Sequence, residues 1–255
     1  MKLCFLGTCA GTEPMPNRKH SSFLIEIGDN IYWFDAGEGC SYTAHNMGFD
    51  VLKTRKILIS HAHLDHTGGL ANLIVTIRGM HWLKRTKTET DIDIWISDLD
   101  AWEAVKKLVH ISEGDYPLES HLFAHQTYDG VLFDDGIMRV TAVHNQHIAA
   151  PEGQWKSYSF LIEAEGKRLV YSGDVKSYNE LDVFVNDGCD GLIIETGHFV
   201  IDDVYAYTRG KNIGKVYFTH NGREILNNGE AAEQKVKNYF GDKAVICFDE
   251  MTEIL

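Results

Sequence analysis

Four potential metal ligands lie close together in the segment His61-Ala62-His63-Leu64-Asp65-His66. The segment follows an apolar run at residues 56–59, which is typical of a short buried strand. Because positions i and i+2 of an extended chain point to the same side, His61 and His63 can bind one ion together. Asp65 and His66 come where the chain turns into a helix pattern, and they can serve a second ion. Imidazole and carboxylate groups are ligands of first-row divalent metals, above all zinc.

Three further segments each place potential ligands at the end of an apolar strand pattern. The first ends in His144 and His147, the second in Asp174 and the third in His220. A site with two metal ions needs about six or seven protein ligands, one of which bridges the ions. The spacing alone leaves His144 and His147 both open as ligands.

The elements that must position these ligands are short strands alternating with helices over residues 1–255. Helix patterns lie at residues 70–82, 99–110, 179–185, 202–210 and 230–239. Strand patterns lie at residues 2–7, 22–27, 30–35, 92–97, 122–124, 131–133, 138–144, 158–164, 167–172, 191–195, 215–219 and 244–248. Grouped strands with helices in both halves predict a single α/β domain in which two mixed β-sheets pack face to face with helices outside, an αβ/βα sandwich of four layers.

The composition narrows the class of protein. With 44% hydrophobic residues, the chain can bury a large core, but no apolar run approaches the length of a membrane span. The N-terminus resembles a first strand and not a signal peptide, so we expect a cytoplasmic protein. The five cysteines have no C-x-x-C spacing, and the net charge of −13 argues against strong general binding of nucleic acid.

Several motifs together resemble the metallo-β-lactamase superfamily, and within it the ribonuclease Z-like branch. They are G-T-x-A-G-T at residues 7–12, F-D-A-G-E-G at 34–39, H-x-H-x-D-H at 61–66, S-G-D at 172–174 and T-H at 219–220. The resemblance runs from residue 1 to about residue 221, and it implies a metal-ligand set. His61, His63 and His147 would bind one ion, Asp65, His66 and His220 the other, and Asp174 would bridge them. It prefers His147 to His144.

The resemblance also implies the chemistry. The cofactors would be two divalent metal ions; zinc is expected, and manganese or iron would suit the same ligands. A hydroxide bridging the metals would attack the substrate, with Asp65 holding the hydroxide or accepting its proton. His198 would be the general acid, oriented by Glu195. Asp35 would orient a ligand histidine from behind the site.

The leading hypothesis is a dinuclear metal-dependent hydrolase, a phosphodiesterase acting on a small nucleotide-type ester or an RNA end. Ribonuclease Z proteins carry an arm that grips tRNA, but between His147 and Asp174 this chain has room only for a loop and two strands. Hydrolysis of another ester, a lactone or a thioester is the second hypothesis, and a non-catalytic metal-containing regulatory or nucleic-acid-binding protein is the third. The branch implies a homodimer.

For two pairs of residues the sequence leaves more than one role open. Arg18 and Lys19 lie in an irregular loop, where they would either contact phosphate or face solvent. Trp155 and Lys156 follow His147 in a loop, where they would stack a base, clamp a phosphoryl group or pack over the rim of the site.

Overall fold

The computed structural model describes residues 1–11, 14–84, 91–114 and 121–255. Thr12, at the end of the G-T-x-A-G-T motif, lies outside the described residues. The strands are β1 (Lys2–Gly7), β2 (Ser22–Ile27), β3 (Asn30–Phe34), β4 (Thr54–Ile59), β5 (Ile92–Ile96), β6 (Leu122–Gln126), β7 (Gly130–Asp134), β8 (Met138–His144), β9 (Tyr158–Ala164), β10 (Lys167–Tyr171), β11 (Cys189–Glu195), β12 (Ile213–Thr219), β13 (Ala244–Ile246) and β14 (Thr252–Ile254). The helices are α1 (Cys40–Asn46), α2 (Leu64–Thr67), α3 (Leu70–Lys84), α4 (Leu99–Glu113), α5 (Asp182–Val185), α6 (Ile201–Thr208), α7 (Arg223–Asn227) and α8 (Gly229–Phe240).

The strands form two seven-stranded sheets. The first has the order β14-β1-β2-β3-β4-β5-β6, and the second has the order β13-β12-β11-β10-β9-β8-β7. In the first sheet β3 to β6 run parallel, and in the second β10 to β13 run parallel, while the remaining neighbours pair antiparallel. The prediction of two mixed sheets is therefore confirmed.

Three apolar clusters hold the layers together. The central cluster lies between the sheets and is rich in aromatic rings, among them Phe23 and Phe34, whose ring centroids are 4.9 Å apart. A second cluster packs α1, α3 and α4 onto the first sheet, and a third packs α5, α6 and α8 onto the second. The predicted four layers are thus present. Among the described residues, no helix has the length and apolar character needed to cross a bilayer.

Element ends depart from the sequence pattern where local signals are weak. A tight turn at Glu165-Gly166 joins β9 to β10 as predicted, and both residues have positive φ, as this kind of hairpin turn requires. The pattern at 179–185 forms a 3-10 turn, Tyr178–Leu181, before α5. Strand β14 was missed because three residues show no clear period, yet it pairs with β1 at the edge of the first sheet.

Replacing a leucine between the sheets tests this packing. Leu169 is fully buried in the central cluster, so Leu169→Ala should lower the free energy of unfolding by about 2–5 kcal/mol. Leu83→Ala is the matched control, because that leucine is 65% exposed on α3. Urea denaturation of both variants checks this, and equal losses would contradict the described core.

Candidate metal centre

The seven predicted ligands converge at one edge of the sandwich. They come from segments that directly follow strands β4, β8, β10 and β12, and the carboxyl ends of the parallel strands meet at this edge. Their nitrogen and oxygen atoms fall into groups compact enough to hold metal ions. The residues brought together are His61, His63, Asp65, His66, His147, Asp174 and His220.

The first group contains three imidazoles. His63 Nδ1 lies 3.0 Å from His61 Nε2 and 3.3 Å from His147 Nε2. Asp174 Oδ2 lies 3.8 Å from His61 Nε2 and 3.7 Å from His147 Nε2. Ligands about 2.1 Å from a tetrahedral zinc ion are about 3.4 Å from one another, so these separations suit such an ion.

The second group surrounds the other oxygen of Asp174. Asp174 Oδ1 lies 3.4 Å from His66 Nε2 and 3.4 Å from His220 Nδ1. Asp65 Oδ2 lies 3.4 Å from His66 Nε2 and 3.0 Å from His220 Nε2. Asp174 therefore presents one carboxylate oxygen to each group, as the resemblance expects of a bridging ligand.

Buried atoms without partners test whether the residues fit a metal. His66 Nε2, Asp174 Oδ1 and His220 Nδ1 are buried and have no hydrogen-bond partner among the described residues. Orphaned polar atoms of this kind are rare because each costs free energy, and a cation between them would satisfy all three. A Cβ on Gly197 would lie 2.4 Å from His220 Nδ1, so glycine keeps this space open. The residues fit the predicted ions.

Asp35 fixes the orientation of His66 from behind the site. Its Oδ2 lies 2.7 Å from His66 Nδ1, which leaves His66 Nε2 facing the second group. The carboxylate also accepts hydrogen bonds from the amide of Ser60 at 2.7 Å and from the hydroxyl of Tyr171 at 2.6 Å. The geometry is the one predicted for Asp35. Sequence reasoning missed Ser60 and Tyr171, although a tyrosine in an apolar strand usually needs a polar partner.

Charge compensation dominates the electrostatics of the site. Burial lowers the pKa of His66 and of His220, but nearby carboxylates outweigh it; Asp174 and Asp35 raise the pKa of His66 well above its ordinary value, and Asp174 and Asp65 raise that of His220 to about 10. Burial keeps the pKa of His61 well below its ordinary value. The carboxylates of the site thus stabilise positive charge next to them, and either protons or metal ions can supply that charge.

Glu195 and His198 form a pair beside the predicted metal ligands. Glu195 ends β11 and is fully buried, and His198 Nδ1 lies 2.9 Å from its Oε2. This hydrogen bond raises the pKa of His198. The half-exposed His198 lines a cavity of about 170 Å³, which is also lined by Ala10, Gly11, His63, Asp65, Asp174, Gly197 and His220.

The structure distinguishes His147 from His144 and shows what Arg18 contacts. His147 lies at the site, whereas His144 Nδ1 contacts Asp129 Oδ2 at 2.6 Å and its ring stacks on Trp155. Arg18 donates hydrogen bonds to Thr8 Oγ1 at 2.8 Å and to the carbonyl of Cys247, so its guanidinium ties two parts of the chain together.

Neutralising Asp35 tests its orienting role. Asn tolerates positive φ, the conformation of Asp35, but its amide group would face the donors that now contact the carboxylate. We expect Asp35→Asn to weaken zinc binding about 10–100-fold, measured by competition with a chromogenic chelator. Asp29→Asn, at an exposed turn, is the control, and equal affinities in the two variants would contradict this role.

Comparison with known proteins bears out the predicted resemblance. A stretch of 184 residues is 31% identical to "Ribonuclease BN" of Escherichia coli O1:K1 / APEC, covering 66% of this chain and 51% of that protein. The chain spans about half the length of the curated relatives it matches.

Solved structures share the fold over almost the whole chain. Human tRNase Z, short form, is 19% identical with a TM-score of 0.74 and covers 100% of this chain and 99% of its own. The metallo-beta-lactamase fold protein YhfI from Bacillus subtilis is 19% identical with a TM-score of 0.77, covering 99% and 98%. Unliganded yeast PDE1 is 13% identical with a TM-score of 0.69, covering 100% and 99%.

The chain therefore has the metallo-β-lactamase fold and resembles the ribonuclease Z-like branch, and a loop with strands β9 and β10 fills the interval between His147 and Asp174. Residues 1–204 match the family described as "Anti-Pycsar protein Apyc1", and the chain belongs to this family.

Proposed function

We propose that the chain is a dinuclear metal-dependent phosphodiesterase acting on a small nucleotide-type ester. The observation that carries the proposal is the placement of Asp174 between two ligand groups, with one oxygen facing each. A carboxylate in that position suits two ions held side by side. Such pairs of ions are typical of enzymes that cleave phosphate esters.

The chain would hold the ions in the two groups described above, with zinc as the expected metal and manganese or iron as fitting replacements. Bound there, two divalent cations would lower the pKa of a water molecule towards neutrality and neutralise charge on a phosphoryl oxygen. Asp65 lines the cavity and keeps a carboxylate there, since His220 and His66 outweigh the effect of burial and hold its pKa far below the usual range. It is placed to hold or accept the proton of the attacking water.

His198 is the proposed general acid, and Glu195 is its positioning residue. Because Nδ1 of His198 is engaged by Glu195, the ring is fixed and Nε2 is the nitrogen that can carry a proton to the leaving oxygen. A raised pKa keeps that proton available near neutral pH. A purely metal-binding or regulatory protein would not need this pair beside an open cavity.

Size and charge support a small substrate. The cavity of about 170 Å³ accommodates a phosphoryl group and its immediate neighbours. The net charge of −13 and the short interval between His147 and Asp174 argue against a large folded RNA. An RNA end is kept as a second candidate substrate, because the relatives include proteins named ribonuclease BN and tRNase Z.

Metal removal tests the proposal directly. Treatment with EDTA should reduce hydrolysis of bis(p-nitrophenyl) phosphate to background, and added zinc or manganese should restore it. Asp174→Ala should remain inactive after metal is added, whereas the exposed Asp29→Asn should behave as wild type. Turnover only of lactones or thioesters would support the second hypothesis. No hydrolysis at all, with RNA retained on a filter, would support a binding protein.

The leaving group tests His198. His198→Ala should lower kcat about 10²–10⁴-fold for a nucleoside 3′,5′-cyclic phosphate, whose alkoxide must be protonated as it leaves. The same variant should change kcat far less for p-nitrophenyl esters, because p-nitrophenolate leaves without a proton. His45→Ala, at an exposed position on α1, is the control. Equal losses on both kinds of ester would rule out the acid role.

A further inference from the structure

A second cavity of about 500 Å³ lies next to the metal centre, and the proposed mechanism does not use it. It is formed where β5 and β6 end and by the loop that begins after His147. Trp155 and Lys156, whose roles the sequence left open, line this cavity and not the one at the metal ligands.

Strand register places the two cavities side by side. Ile59 of β4 pairs with Ile96 of β5, and the amide of Thr127 donates to the carbonyl of Ile96. Ser60, Ser97 and Thr127 therefore follow three adjacent strand ends. With strands about 4.8 Å apart, Thr127 lies about 10 Å from Ser60, the residue that precedes the ligand His61. The cavity therefore lies within about 10 Å of the chain segment that leads into the predicted ligands His61 and His63.

Two residues that line the cavity have buried hydroxyls for which the described part of the chain offers no hydrogen-bond partner. Ser97 Oγ and Thr127 Oγ1 belong to residues that are each 1% exposed, and both residues line the cavity. Neither hydroxyl has a hydrogen-bond partner in residues 1–11, 14–84, 91–114 and 121–255. Buried polar groups are rarely left in this state, so this side of the cavity suits a ligand with polar atoms along one edge.

The walls are aromatic and rigidly held. The ring of Trp155 stacks on His144 with centroids 4.0 Å apart and planes 3° apart, and Asp129 holds His144. Tyr128 donates its hydroxyl hydrogen to the carbonyl of Val131, which fixes the phenol ring at the rim. Flat side chains held in place favour a flat ligand, because little side-chain entropy is lost on binding.

The charges that line the cavity are already paired. Lys156 Nζ contacts Asp98 Oδ2 at 2.7 Å, and Asp129 is engaged by His144. No cation among the described lining residues remains free to bind phosphate. The ligand that suits this cavity is therefore uncharged, in contrast to the group that would bind at the metal ligands.

We propose that this cavity binds the nucleobase of the substrate while the phosphoryl group lies at the metal centre. The inference rests on the proposed phosphodiesterase function and specifies its substrate as an ester of a nucleotide. Ser97 and Thr127 would read the polar edge of the base, and the aromatic walls would contact its faces.

Two variants that each remove one hydroxyl, Ser97→Ala and Thr127→Val, test the proposal with paired substrates. For thymidine 5′-(p-nitrophenyl phosphate), each variant should raise KM about fivefold with kcat unchanged, because one hydrogen bond to the base is lost. For methyl p-nitrophenyl phosphate, which has no base, both constants should stay at the wild-type values. Thr141→Val, on β8 outside this cavity, is the matched control. Equal effects on both esters, or none on either, would overturn the inference.

Calorimetric titration with uridine and adenosine separates this inference from the proposed function. Neither probe carries a phosphate, so binding is measured without turnover. Binding by wild type that weakens about fivefold in Thr127→Val supports the cavity even if no ester is hydrolysed. Hydrolysis of both esters with no nucleoside bound overturns the cavity and leaves the phosphodiesterase standing. Thermal unfolding of each variant checks folding, and either variant alone suffices for the comparison.

Discussion

The buried carboxylate of Asp174 is the constraint on which the site depends. Five imidazoles lie within 4.0 Å of it, and its two oxygens face different ligand groups. A charge placed so deep is costly unless positive charge lies next to it. In the polypeptide by itself protonated histidines can supply that charge, and in the proposed enzyme two cations would take their place. Metal binding and the stability of this edge of the fold therefore both depend on how the charge of Asp174 is compensated.

The topology of the sandwich brings the compensating side chains together around Asp174. Parallel strands of both sheets end at one edge, where the chain leaves the sheet and short loops can aim side chains at a common point. The buried pair of Asp35 and Tyr171 links the two sheets directly behind that point, with a hydroxyl from the second sheet donating to a carboxylate of the first. Such a network holds the ring of His66, a predicted metal ligand, in a fixed orientation.

The arrangement of this edge would fix which end of the proposed substrate lies at the predicted metal ligands and which lies at the second cavity. The predicted metal ligands, the Glu195–His198 pair and the second cavity all lie where strands β4, β5, β6, β8, β10, β11 and β12 end. In the proposal, charged and uncharged recognition are separated. Buried carboxylates and imidazoles lie at the predicted metal ligands, and at the second cavity the charges are paired and two hydroxyls have no partner among the described residues. A nucleotide ester has the matching division between phosphoryl group and base.

Features set by neighbouring residues along the chain were predicted correctly, and features set by distant partners were not. Features that depend on neighbours along the chain were predictable: the alternation that places His61 and His63 together, the sandwich class, and the turn at Glu165-Gly166. Motif resemblance extended this to Asp174 and His220. Strand β14 was missed because a three-residue strand gains its order from its partner β1 and not from its own pattern.

The sequence by itself determined which residue types are available for metal chemistry and the order in which they follow buried strands, because periodicity and spacing are local properties. The resemblance preferred His147, but only the tertiary structure placed His144 against Asp129, tied Arg18 to Thr8 and Cys247, and turned Trp155 towards a second cavity. These outcomes depend on which distant strands become neighbours. Proximity across a sheet, or between two sheets, is set by the packing of the whole core, which no short segment encodes.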